Sequence, residues 1–307
     1  MSETRTPDEA HAWRRGLLFG VAAYGSWGFM PVYIKAVRTV PILEVLSHRV
    51  FWAFLLLLAL CWRRGELPAI RTALGSRRTL ALLCGSTTAI AVNWLAYIWA
   101  VANSRVLESS LGYFVNPLVN VLFGVAILGE QLDRPVRIAV AVAGTGVLWM
   151  ALRAGHVPWI ALTLATSFGL YGLFRKLAPV GGLAGLTIET GLLSPLAGGF
   201  IAWAVASGRS GFLAGDVRTD VLLLMAGPIT AVPLLFFAGA ARRLPLSTLG
   251  FLQYLSPSLQ FLLAVFAYRE PLDSARLVGF GFIWTALLIF GVYTARHTRL
   301  PAGRIRA

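Results

Sequence analysis

The sequence predicts an all-α integral membrane protein with ten transmembrane helices, arranged as two inverted five-helix repeats. Three observations carry this reading. The 307 residues are 57% hydrophobic and 13% charged, with a mean hydropathy of +0.73. Soluble domains carry roughly 25% charged residues, so this chain lacks the polar groups to cover a water-facing surface. Ten apolar runs approach or exceed the roughly 20 residues that a helix needs to cross hydrocarbon. The third observation is an internal repeat. Ser109–Asp133, SSLGYFVNPLVNVLFGVAILGEQLD, returns as Ser247–Asp273, STLGFLQYLSPSLQFLLAVFAYREPLD.

In that repeat Leu111-Gly112 matches Leu249-Gly250. Pro117, Glu130, Leu132 and Asp133 match Pro257, Glu270, Leu272 and Asp273, each 140 positions later. A two-residue insertion separates the Leu-Gly pair from the proline in the second copy. Upstream, Ser26-Trp27-Gly28 with Lys35 matches Ser167-Phe168-Gly169 with Lys176, an offset of 141. The expected organisation is a cytoplasmic tail at 1–15, a first repeat at 16–154, a second at 155–295, and a cytoplasmic tail at 296–307.

The ten expected spans are 17–36, 43–62, 79–102, 107–128, 135–152, 157–174, 183–206, 220–240, 246–268 and 275–294. Their continuous apolar runs lack the period-two alternation of a membrane barrel. Backbone polar groups in lipid must then be satisfied within helices. Arg14-Arg15 resembles a twin-arginine signal, but the run behind it is long enough to span and no small-residue cleavage site follows, so the tail is read as uncleaved. With the N-terminus inside, 18 of the 27 Lys and Arg residues fall on the cytoplasmic side and 8 outside, with Arg49 left within a span. This bias puts both termini on the cytoplasmic side of the membrane. Five spans per repeat force the second repeat to enter upside down, a design typical of secondary transporters, whose site lies near the midplane between the repeats.

The net charge of +14 reflects basic residues flanking spans. No basic soluble segment is long enough to fold on nucleic acid, so none is expected as a partner; the expected partners are the bilayer and a small-molecule substrate, with dimerisation left open. Cys61 and Cys84 form neither a metal spacing nor a disulfide framework. The chain has no G-x-S-x-G, HExxH, P-loop or CxxC, so no cofactor, metal or direct ATP drive is expected.

Candidate site residues are those that are polar within apolar spans. His48 and Arg49 lie about two turns into span 2, with Glu44 one turn before His48 on the same face. A charge at such depth costs roughly 2.5–3.5 kcal/mol on insertion scales and usually has a partner. The repeat offset carries this pair onto Glu189, suggesting that Arg49 and Glu189 approach one cavity from opposite sides. The bland alternatives are that Arg49 snorkels or ties helices together, and that Glu189 bonds backbone near its helix start. Asn93 and Tyr97 share a face of span 3 and suit a pocket for a flat or amphipathic molecule. Asn116, Gln253 and Tyr254 belong to the repeated motif. Trp99 suits an interfacial belt. Pro117 and Pro257 are expected to bend equivalent helices, and Gly144, Gly146, Gly279 and Gly281 to allow close helix contact.

SHRVFW, NWLAYIWAV, SSLGYFVNPLVNVLFGVAILGE, SFGLYGLFRK and GPITAVPLLFFAGAARRLPLSTLGFLQYLSP closely resemble the RarD family of EamA-type transporters, in the drug/metabolite transporter superfamily. The resemblance runs from about Leu17 to Thr294. It implies ten helices in two inverted repeats, an inner-membrane location and carrier activity; the family label is associated with chloramphenicol sensitivity. Small multidrug relatives in that superfamily use a glutamate in the middle of helix 1. Helix 1 here has no acidic residue, a departure that bears on proton coupling by that route. The expectation is a secondary active or exchange-type transporter of a small organic solute, working as an exporter. Two other readings compete. An intramembrane enzyme would use His48 as base and need a serine or carboxylate in hydrogen-bond reach; a receptor would have no throughput.

Overall fold

The structure, a computed structural model, describes residues 7–103, 105–154, 158–267, 269 and 274–298. The described residues contain helices and no strand. Each expected apolar segment is helical over its described residues. The first is split into α1 (Pro7–Gly28) and α2 (Met30–Ala36), followed by α3 (Ile42–Arg63), α4 (Leu67–Gly75), α5 (Arg77–Ala102), α6 (Val106–Ala126) and α7 (Arg134–Ala154). The second half holds α8 (Trp159–Leu177), α9 (Gly182–Ala206), α10 (Val217–Ala241), α11 (Leu246–Gln253), α12 (Leu255–Leu262) running into a π turn at Leu263–Ala267, and α13 (Ser274–Thr298). Glu270, Pro271 and Asp273 of the repeated motif lie outside the described residues.

Two elements depart from expectation. α1 begins at Pro7, so residues 7–15, read as tail, are helical; proline suits a first helical position, where its missing N–H is not needed. α4 was not expected at all. It is a short helix in the basic link between α3 and α5, packed on α5 and α9.

Among the described residues, eight helical stretches are long and apolar enough to cross a membrane. α6 and α8 are the remaining long helices. The apolar stretch of α6, Leu111–Ala126, is shorter, and α8 carries Arg175 and Lys176 in its last turn. Large apolar side chains such as Leu18, Trp62, Leu196 and Phe266 are turned outward, the exterior that lipid requires. Trp99 is exposed and its ring leans on that of Trp159, with centroids 5.0 Å apart.

Packing pairs elements across the two halves. α3 lies on α9, α7 on α13, and α6 on α11. α6 and α5 also pack on α8, while α12 and α10 pack on α1. Helix association in lipid relies on close approach rather than on hydrophobic drive. A β-carbon on Gly146 would come 2.7 Å from the Phe282 Cβ, and one on Gly279 2.6 Å from the Met150 sulfur. These two glycines therefore serve the α7–α13 contact as expected. Gly144 and Gly281 face open space.

The helix ends echo the repeat. α3 closes with Gly65 at φ +67°, its N–H donating to Trp62 O and that of Glu66 to Cys61 O. α9 closes with Gly208 at φ +66°, its N–H donating to Val205 O and that of Arg209 to Ala204 O. Both are Schellman closures, which need a left-handed residue and so favour glycine. The two prolines of the repeat behave differently. α6 runs on through Pro117. The second copy breaks at Tyr254, three residues before Pro257, where the proline ring blocks continuation of the preceding turn.

Candidate functional site

Arg49 lies on α3, beside α10. Its Nε–H donates to the Thr230 hydroxyl at 3.0 Å. Across from it, the Trp94 ring of α5 stands with its centroid 5.8 Å from the guanidinium carbon, within range of a cation–π attraction. Tyr33, Tyr97 and Tyr113, from α2, α5 and α6, lie close enough to act electrostatically on the same group. α3 packs on α9 and α10, whereas α5 packs on α8 and α9, and α3 and α5 make no extensive direct contact. Arg49 thus reaches across a gap between two helix groups. It is only partly buried although residues from four other helices surround it, and Tyr113 is 38% exposed. One cation and several aromatic rings thus meet between the two helix groups, with Arg49 and Tyr113 incompletely covered.

The expected pairing of Arg49 with Glu189 is not what forms. The cation at Glu189 is Arg175 of α8, whose Nη1 stands 3.4 Å from Oε1, with both side chains almost wholly buried. Ser86 of α5 donates a short hydrogen bond to the same oxygen. Arg175 stands one residue past the expected span 157–174. α8 continues to Leu177 and draws it inward. Among the described residues, Arg175 Nε is buried without a hydrogen-bond partner.

The other candidates divide among separate places. His48 is fully buried, on a different face of α3 from Arg49. Its Nδ1 accepts from Trp52 Nε1 at 2.8 Å, and Phe212 packs edge-on against it. The nearest carboxylate to its Nε2, Glu44, is 4.0 Å away, beyond hydrogen-bond reach. Glu44 Oε1 already accepts from Ser210 Oγ, Gly211 N and Phe212 N. Among the described residues, this geometry places no serine or carboxylate within hydrogen-bond reach of His48 Nε2. Asn93 donates to Leu164 O and to the Ser167 hydroxyl, a tie between α5 and α8. Gln253 accepts from Asn120, and Tyr254 donates to Phe114 O, both joining α11 to α6. Asn116 is buried on α6 with its Oδ1 unpartnered. Of the eight candidates, Arg49 and Tyr97 alone meet at the aromatic gap.

Sequence reasoning missed Thr230, Tyr113 and Arg175. Thr230 had a signal: it is a lone hydroxyl in an apolar run between Pro228 and Pro233, where α10 lacks two backbone donors. It also missed the work of Glu130. That carboxylate accepts from Leu246 N, Ser247 N and Ser247 Oγ, capping the start of α11, where the donors of a helix N-terminus are otherwise unsatisfied.

Residues 14–152 match the profile of the EamA-like transporter family. Protein RarD of Escherichia coli K12 is 43% identical over 94% of this chain and 99% of its own. An uncharacterized transporter of Vibrio cholerae is 43% identical over 94% of this chain and 95% of its own. A chloramphenicol-sensitive protein RarD of Pseudomonas aeruginosa is 32% identical over 94% and 98%. A crystal structure superposes with a TM-score of 0.70, covering 92% of this chain and 99% of that one, at 18% identity, which speaks to the fold alone. With its apolar helices, this similarity identifies a multi-pass bacterial inner-membrane protein of the transporter type. The chain belongs to the RarD group of the EamA-like transporter family.

Proposed function

We propose that this protein is a secondary active or exchange-type transporter that exports a small organic solute through the space between α3/α10 and α5/α6. The observation that carries this is the gap itself. Arg49 is held there by Thr230 on one side and faces Trp94 and Tyr97 on the other. An immobilised charge at depth in a membrane protein is a substrate-site feature by default. The solute site comprises Arg49 and Tyr97 from the sequence candidates, with Trp94, Tyr113 and Thr230 added. Asn93, Gln253, Tyr254 and Glu189 hold the helices around it.

The architecture behind this reading is ten spans in two inverted repeats, 16–154 and 155–295, with both termini cytoplasmic. It is supported by the pairing of α3 with α9, α6 with α11 and α7 with α13, each with its counterpart five spans later. The matching helix closures at Gly65 and Gly208 support it too. A pseudo-two-fold axis generates such self-pairings, and transporters of this build place the site beside that axis.

Two experiments test the proposal. Purified protein in liposomes should move labelled solutes without ATP, and no movement across a broad panel of amino acids, metabolites and phenicols would sink it. Cysteines introduced at 131 and 271 should react with an impermeant thiol reagent from opposite sides of the membrane. Labelling of both from one side would break the inverted arrangement.

A further inference from the structure

We infer that the transported solute is an anion: a carboxylate or equivalent oxyanion docks against the open edge of Arg49, with its apolar body between Trp94, Tyr97 and Tyr113. This rests on the transporter reading and adds the sign of the substrate's charge to it.

The first support is an unanswered cation. Arg49 pairs with no carboxylate among the described residues. The carboxylates described on α3, α9 and α10 are engaged elsewhere. Glu44 receives three donors from the Ser210–Phe212 loop, Glu189 receives Ser86 and Arg175, and Asp220 accepts from Leu213 N. A cation at this depth ordinarily has a counter-charge supplied by the protein. Here the ligand would supply it.

The second support is orientation. Thr230 takes Nε, which fixes the plane of the guanidinium, and neither Nη group donates to a partner among the described residues. Two parallel N–H donors on that edge match the spacing of a carboxylate or phosphate. The hydroxyls of Tyr97 and Tyr113 likewise hold no hydrogen bond among the described residues, whereas that of Tyr33 donates to Leu222 O. Two free phenol donors and the two open Nη groups of one guanidinium make a preorganised anion receptor with aromatic walls. An amine entering the same space would meet a like charge and, among the described residues, no free carboxylate, so a simple cation is the wrong cargo.

The test compares acids with their neutral amides. Binding of phenylacetate and phenylacetamide, and of benzoate and benzamide, is measured on purified full-length protein in nanodiscs, with phenyl phosphate and phenethylamine as oxyanion and cation arms. At least one acid should bind about tenfold more tightly than its amide, a modest return for a charge-assisted fork. Arg49→Gln should reduce that preference to about threefold or less. Arg49→Lys, which keeps the charge and loses the fork, should fall between them. If Arg49→Gln does not fold, Arg49→Lys and Tyr97→Phe carry the comparison, each weakening the acid and leaving the amide. Acids binding no better than amides, phenethylamine binding best, or an acid preference that survives in all three variants would overturn the inference. Failure of every solute to cross liposomes would strike the transporter reading instead, since binding selectivity is read independently of movement.

Discussion

Arg49 and Arg175 are two guanidinium groups drawn into the same helical body, and they are treated in opposite ways. Arg175 is almost wholly buried and faces Glu189, with Ser86 completing the carboxylate's contacts. Arg49 is partly exposed to an internal space and has a hydroxyl and aromatic rings for company. A buried pair ties α8 to α9 and is sensitive to loss of either member. An unpaired cation adds little to the fold and leaves its attraction free for something else. The contrast separates a structural charge from a functional one by partners rather than by depth.

The largest effect should come from breaking the pair. Arg175→Gln leaves an uncompensated buried carboxylate, and the loss should be about 3–5 kcal/mol. Thermal unfolding in detergent would show it, and the double variant Arg175→Gln/Glu189→Gln should recover much of it. Recovery of nothing would mean the two side chains act separately. Ser86→Ala should cost about 1.5–3 kcal/mol, since it removes a charge-assisted hydrogen bond to the same carboxylate. That cost should shrink when Glu189→Gln is already present. Arg49→Gln should change unfolding by about 1 kcal/mol or less, because one neutral-acceptor bond is lost, yet it should abolish solute movement in liposomes. A large unfolding change with transport retained would invert the comparison. The smallest effect is expected of Thr230→Val. It frees the Arg49 Nε and should raise the apparent KM several-fold, with stability lowered by about 1 kcal/mol. An unchanged KM would show that the guanidinium plane is fixed by something else.

Much of the fold was legible because bilayer thickness imposes a length on apolar runs. Every expected apolar segment is largely helical where it is described. α1 and α4 were harder to see. Residues 7–15 are polar and α4 is short, so neither carries the long apolar run on which the prediction relied. The site was only partly legible. Arg49 and Glu189 stood out as charges in apolar runs, but the repeat offset assigned them to each other. Position along a helix gives depth, whereas partnership depends on which face turns toward which neighbour. Arg175 lies fourteen residues before Glu189 in the chain and reaches it through the turn between α8 and α9. No offset between repeats encodes that. Asn93 shows the same dependence on facing: it shares a helix with Tyr97, but its amide is turned toward α8.

At the crossing of α6 and α11, a β-carbon added to Gly250 would lie 2.5 Å from the Pro117 carbonyl oxygen. The two main chains therefore touch with no side chain between them. Such a contact has no rotamers to rearrange, so relative rotation there is limited by backbone shape alone. Separation would cost the close approach itself. The Asn120–Gln253 and Tyr254–Phe114 bonds flank the same crossing and hold it from both sides. The crossing has the mechanical character of a bearing: the helices can tilt about this point far more readily than they can slide past it. Any rocking of one half on the other would then swing the far ends of α6 and α11 in opposite senses about a nearly stationary centre.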